Sequence, residues 1–140
     1  MRAMAKHHRE LEVWQLCDAL RSRWIELTKR EGLSRDFDFR DQTNRAARSA
    51  CRNVAEGFWK FDHTEFARYL NIVKGSVGEL FDSADEALQK GFISKQEYES
   101  LNAQTDTVMR ATNGLREYLL STPTPKRRRR PRTSPSAPDT

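Results

Sequence analysis

EFARYLNIVKGSVGEL, residues 65–80, sets Phe66, Leu70, Val73, Val77 and Leu80 at alternating spacings of four and three. That is the period of one apolar face of an α-helix. Ala84 and Leu88 continue the stripe, and Gly91 supplies a C-terminal stop. Upstream, Asp62-x-x-Glu65 reads as a capping box with Asp in place of Ser or Thr. Gly75-x-x-Gly78 lies inside this period instead of following a strand. It therefore reads as a site of close helix packing, not as a phosphate loop. Each mid-helix glycine costs up to about 1 kcal/mol relative to alanine, and tight contact with another helix is the expected compensation.

The same spacing recurs on both sides. DQTNRAARSACRNVAEGFWK, residues 41–60, carries Ala47, Cys51, Val54 and Phe58, extended to Phe61, with Asp38 as the expected N-cap. An earlier helix is expected from about Glu10 to Arg30 on the stripe Val13, Cys17, Leu20, Trp24 and Leu27, with Gly32 and Ser34 marking its exit. Downstream, Ser94-x-x-Glu97 opens a fourth helix bearing Tyr98, Leu101, Thr105, Val108, Thr112, Leu115 and Leu119. Four stripes joined by three short turns predict an all-α fold, an antiparallel up-down-up-down four-helix bundle. The expected organisation is a flexible N-terminus over residues 1–9, a bundle over 10–121 and a disordered basic tail over 122–140.

The tail reads TPTPKRRRRPRTSPSAPDT, with closely spaced prolines and no large apolar residue. It holds six basic residues against one acid, which accounts for the whole-chain net charge of +5 and leaves residues 1–121 formally neutral. Attraction to polyanions is therefore expected to reside mainly in Lys126, Arg127, Arg128, Arg129, Arg130 and Arg132. This run has three readings: a nucleic-acid arm, a localisation signal or a solubilising tail. If all six charges neutralised phosphates, the log-log salt slope would be about −5 per tail.

The N-terminus, MRAMAKHHRELEVW, has no apolar leader core, and no stretch approaches the roughly 18 apolar residues of a membrane span. A cytoplasmic protein is expected. Cys17 and Cys51 fall on apolar stripes, as reduced hydrophobes do. The Glu-x-x-His pairs of di-iron bundles are missing, and His7, His8 and His63 read as solvent-exposed. No nucleophile-base constellation is evident. The expectation is a non-enzyme with no cofactor and no metal.

Taking 100° per residue, Arg45, Ser49, Asn53 and Glu56 fall within about 80° of one another, opposite the apolar stripe of their helix. They form either a ligand or nucleic-acid site, or a hydrogen-bonded network at a helix or subunit contact in which Arg45 pairs with Glu56 or Glu79. Arg45, Arg48 and Arg52 follow at three and four residues, with Trp59 further on. Such a face either grips phosphates and stacks a base, or is an ordinary solvated surface whose arginines pair with nearby acids.

Residues 41–60 and 65–80, together with LEVWQL at 11–16 and GFISKQEYESL at 91–101, resemble the bacterial four-helix-bundle family encoded by 23S rRNA intervening sequences. On the expected second helix the matching positions are Gln42, Arg45, Ala46, Ala47, Ser49, Asn53, Ala55, Glu56, Gly57 and Phe58. On the third they are Glu65, Phe66, Leu70, Asn71, Gly75, Ser76, Glu79 and Leu80. Arg48, Ala50, Cys51, Arg52 and Trp59 depart from the pattern, and the tail is no part of it. The resemblance implies a left-handed antiparallel four-helix bundle that assembles as a ring, commonly a homopentamer, without catalytic activity. A more distant branch of similar fold is the retroelement accessory variability protein, which works with a reverse transcriptase and binds nucleic acid. Two functions are thus expected: a homo-oligomeric scaffold that binds RNA or DNA by charge, or a scaffold that docks a protein partner such as a reverse transcriptase.

Overall fold

A computed structural model describes residues 5–126 of the chain, and over them the protein is helical, with no strand among the described residues. A 3-10 turn at His8–Glu10 precedes α1 (Glu12–Thr28), a short α2 (Glu31–Arg35), α3 (Phe37–Phe58), α4 (His63–Gln89) and α5 (Lys95–Ser121). The four long helices pack in sequence, α1 on α3, α3 on α4, α4 on α5 and α5 back on α1.

Polar ties join the helix termini at both ends. At one end Arg30, just past α1, pairs with Glu97 in the first turn of α5, and Lys90, just past α4, pairs with Asp36 ahead of α3. The Arg30 guanidinium holds the Glu97 carboxyl down at about 2, well below its ordinary 4.5. At the other end Trp59, which follows α3, bonds His8 ahead of α1, and His63, opening α4, bonds Thr122 beyond α5.

The expected stripes form the core. Val13, Cys17, Leu20, Trp24 and Leu27 are buried, as are Ala47, Cys51 and Val54, then Phe66, Leu70, Val73, Val77, Leu80 and Ala84, and finally Leu101, Thr105, Val108, Thr112 and Leu119. Thr105 and Thr112 sit in this apolar company because their hydroxyls donate back to the Leu101 and Val108 carbonyls, at 2.7 Å each. Burial pushes the Cys51 thiol up to about 11 and the Cys17 thiol higher still, so both stay protonated.

Several boundaries differ from expectation. The first helix starts at Glu12, two residues late, because the Glu10 carboxylate is engaged upstream by the backbone N–H groups of Lys6 and His7. The 3-10 turn at His8–Glu10 lies inside the segment expected to be flexible. Gly32 and Ser34, expected as a turn, lie within α2, which Leu33 anchors by complete burial. Asp36, not Asp38, caps α3, accepting from the Phe39 N–H, and the same carboxylate binds Lys90. Phe61 is not part of the apolar stripe: it follows the end of α3 in the left-handed region (φ 61°) and is 56% exposed. Asp62 caps α4 by accepting from Glu65, Ser94 and Glu97 form the full reciprocal box, and Gly91 adopts φ 74° as a C-terminal stop requires.

The largest correction concerns the glycines. A Cβ at Gly75 or Gly78 would meet nothing within 4 Å, so neither makes a close helix contact within the chain. Both face outward on α4. The close approach occurs instead at Gly57, where a Cβ would lie 2.6 Å from Phe66 Cδ1 and 2.9 Å from Tyr69 Cβ. Buried Ala46, Ala47 and Ala50 line the rest of this face of α3, keeping α4 near along its length. Gly57→Ala is expected to lower stability by about 1–3 kcal/mol in urea unfolding, because the added methyl must displace an aromatic ring and a Cβ. An unchanged midpoint would contradict this packing.

Candidate nucleic-acid interface

The polar face expected on α3 divides in two. Ser49 and Asn53 are half-buried and bonded: Asn53 Nδ2 donates to the Ser49 carbonyl at 2.8 Å and to its hydroxyl at 3.1 Å, and Ser76 of α4 donates to the Ser49 hydroxyl at 2.9 Å. Ser76 completes a network that the sequence assigned to other partners. A second hydroxyl pair, Thr43 and Ser83 at 3.0 Å, crosses the same seam one stretch further along. A serine inside an apolar period gives little warning of this role, since its partner lies on another helix.

Arg45, Glu56 and Glu79 stay outside this network and are exposed. Among the described residues Arg45 pairs with neither acid, and no ion pair involves Arg48, Arg52, Lys60 or Lys126. Within the single chain these arginines therefore have no acid partner among the described residues. Glu79 instead lines a groove of about 340 Å³ between α3 and α4 with Gln42, Gly78, Asp82 and Glu86.

The two ends of the molecule differ in character. Ion pairs concentrate where α1 and α4 end, at Arg30–Glu97, Lys90–Asp36, Lys90–Glu86 and Arg35–Glu31. The other end carries rings and cations that make no ion pair among the described residues. Trp59 is 45% exposed and meets the rings of His7, His8, Phe58 and Phe61 at 78–81°. Its indole N–H donates to His8 Nδ1 at 3.0 Å, so the residues before α1 form a strap across the end of α3. The Lys60 ammonium lies 5.8 Å from the centre of the Tyr69 ring.

His7, His8 and His63 were expected to be exposed, but all three are half-buried and partnered. His63 is the anchor of the chain's departure from α5. Its ring bonds the Thr122 carbonyl at 2.7 Å, its backbone N–H donates to the Thr124 hydroxyl at 2.9 Å, and its ring neighbours that of Tyr118. The basic run thus leaves from the end that carries Trp59. Lys126 is exposed, while Arg127, Arg128, Arg129, Arg130 and Arg132 lie outside the described residues.

A family model described as 23S rRNA-intervening sequence protein matches residues 9–114. The chain belongs to that family. The match takes in α1 to α4 and α5 as far as Gly114, and stops short of the His63-bound segment and the basic run. No curated protein matches the chain in sequence. No helix among the described residues is long and apolar enough to cross a membrane.

The strap of this family member is titratable. Burial, then the neighbouring His7 and Arg9, hold the His8 imidazole below its ordinary value. In the neutral ring Nδ1 accepts from Trp59, whereas in the charged ring both nitrogens are donors. A histidine that binds its proton less readily folded than unfolded contributes stability above its unfolded value, near 6.5, and loses it as pH falls. Taking the protein from about pH 7.5 to about pH 5 is expected to shift the Trp59 indole N–H resonance and to reduce hydrogen-exchange protection in residues 8–10. A pH-independent indole resonance would contradict the clasp.

Proposed function

We propose that this protein is a non-enzymatic, cytoplasmic scaffold, built on an antiparallel up-down-up-down four-helix bundle, that assembles with copies of itself and binds nucleic acid mainly through charge. The observation that carries the binding is the set of exposed cations without acid partners among the described residues, Arg45, Arg48, Arg52, Lys60 and Lys126, together with the basic run of the sequence that follows the His63-bound Thr122 and Thr124. Free guanidinium groups bind phosphate without first breaking an ion pair. Such contacts attract the backbone of RNA and DNA alike, so little sequence selectivity is expected.

Self-assembly is supported by the outer face of α4. Gly75 and Gly78 give up helix stability with no compensating contact among the described residues, and Ile72 next to them is half exposed. A second copy's helix lying on this face would supply that contact. The resemblance noted above implies a closed ring, and we propose a homopentamer. Five tails on one particle would bind with strong avidity where geometry lets them act together. Catalysis finds no support in the thiols, which burial keeps protonated.

Sedimentation is expected to give a particle about five times the 16.3 kDa chain mass, and Gly78→Leu, open in the single chain, is expected to dissociate it. A monomeric wild-type protein would sink the assembly. Fluorescence anisotropy of labelled RNA and single-stranded DNA, with the full chain at two salt concentrations, is expected to show binding with a log-log slope of about −4 to −5 per engaged tail. Replacing Lys126, Arg127, Arg128, Arg129, Arg130 and Arg132 by serine in the full chain is expected to remove most of it. If neither protein binds near physiological salt, the nucleic-acid reading fails and a protein partner, such as a reverse transcriptase, becomes the better candidate.

A further inference from the structure

We infer that the depression formed by Arg52, Ala55, Glu56, Trp59 and Lys60 at the end of α3 is a stacking site for an unpaired nucleobase, which makes the strand partner of this protein single-stranded. The inference rests on the charge-based binding proposed above and specifies what that binding alone leaves open. The depression is shallow, open and mostly apolar, with a volume of about 350 Å³.

Three features of Trp59 fit the role. Its one polar atom is already satisfied by His8, so what it offers outward is the ring. The four rings around it all stand nearly perpendicular, at 78–81°, and none is stacked parallel on it. The indole is also held from several sides, by the strap before α1, by Phe58 within α3 and by Phe61 after it, so it loses little freedom when a base lands.

The surrounding charge favours a phosphodiester strand. Arg52, one side of the depression, and Lys60, the other, are exposed and make no ion pair among the described residues. Lys6 and Arg9 belong to the strap against Trp59, and Glu56 is the one acid lining the depression. The His63 anchor holds Thr124 at the same end. A fully extended chain spans at most about 3.5 Å per residue, so Lys126, two residues on, places the first charge of the basic run within about 7 Å of the anchored threonine. Cations of the strap and of the end of α3 thus flank one aromatic platform, the arrangement by which single strands are held through backbone charge and base stacking together. In a duplex the base faces are covered by their neighbours, so this ring has nothing to stack on there.

The test uses the full chain and two labelled strands of equal length and charge, about 20 nucleotides each: oligothymidylate, and a strand of abasic sites on the same backbone. Wild-type protein is expected to bind oligothymidylate about tenfold more tightly than the abasic strand. Trp59→Ala should remove that preference, and Trp59→Phe should keep most of it. Equal affinity of the wild-type protein for the two strands would overturn the stacking site, without reliance on any variant, and leave charge-based binding standing. Binding of neither strand would overturn both.

Discussion

The missing side chain at Gly57 is the constraint on which the Trp59 end of this molecule depends. Any Cβ there would drive into Phe66 and Tyr69, so only glycine lets the last turn of α3 lie against the first turns of α4. That contact forces the chain to reverse within the few residues between the two helices, with Phe61 in the left-handed region. The reversal leaves Trp59 and Phe61 outside the core and brings His63 to where α5 ends. A looser seam would give neither a presented indole nor a fixed departure point for the basic run.

Charge is distributed in keeping with this division. Acids and bases cancel in short pairs at the end where α1 and α4 finish, and these pairs hold the helix termini together at a modest energy each, since most are solvent-exposed. At the Trp59 end the cations have no such partners among the described residues. The buried threonines and serine bond their own helix or one another across the seam, while the buried Trp24 indole N–H finds no partner among the described residues. Ion pairs thus gather at one end of the fold, while Arg52 and Lys60 at the other make none among the described residues.

Much of the architecture was legible in the letters because helical periodicity is local. The stripes through Trp24, Val54, Val77 and Val108 predicted the core almost residue by residue, and Ser94-x-x-Glu97 and Gly91 marked their boundaries correctly. Errors gathered where the deciding partner is distant in sequence. Asp36 was overlooked as the cap of α3 because Lys90, which shares its carboxylate, comes fifty-four residues later. Gly75 and Gly78 looked like packing glycines, yet the close contact belongs to Gly57, whose neighbours lie across a turn.

The sequence by itself determined the helical class, the four apolar stripes, the neutral folded part and the concentration of positive charge after Thr122, since each follows from residue types at short spacing. Only the tertiary structure decided which polar residues meet: Ser76 with Ser49, His8 with Trp59, and His63 with Thr122 and Thr124. Periodicity states which face of a helix turns inward, but not which residue of another helix it will face. That depends on how far each helix slides and rotates against its neighbour, which is set by side-chain volumes along the whole seam, including the absent side chain at Gly57.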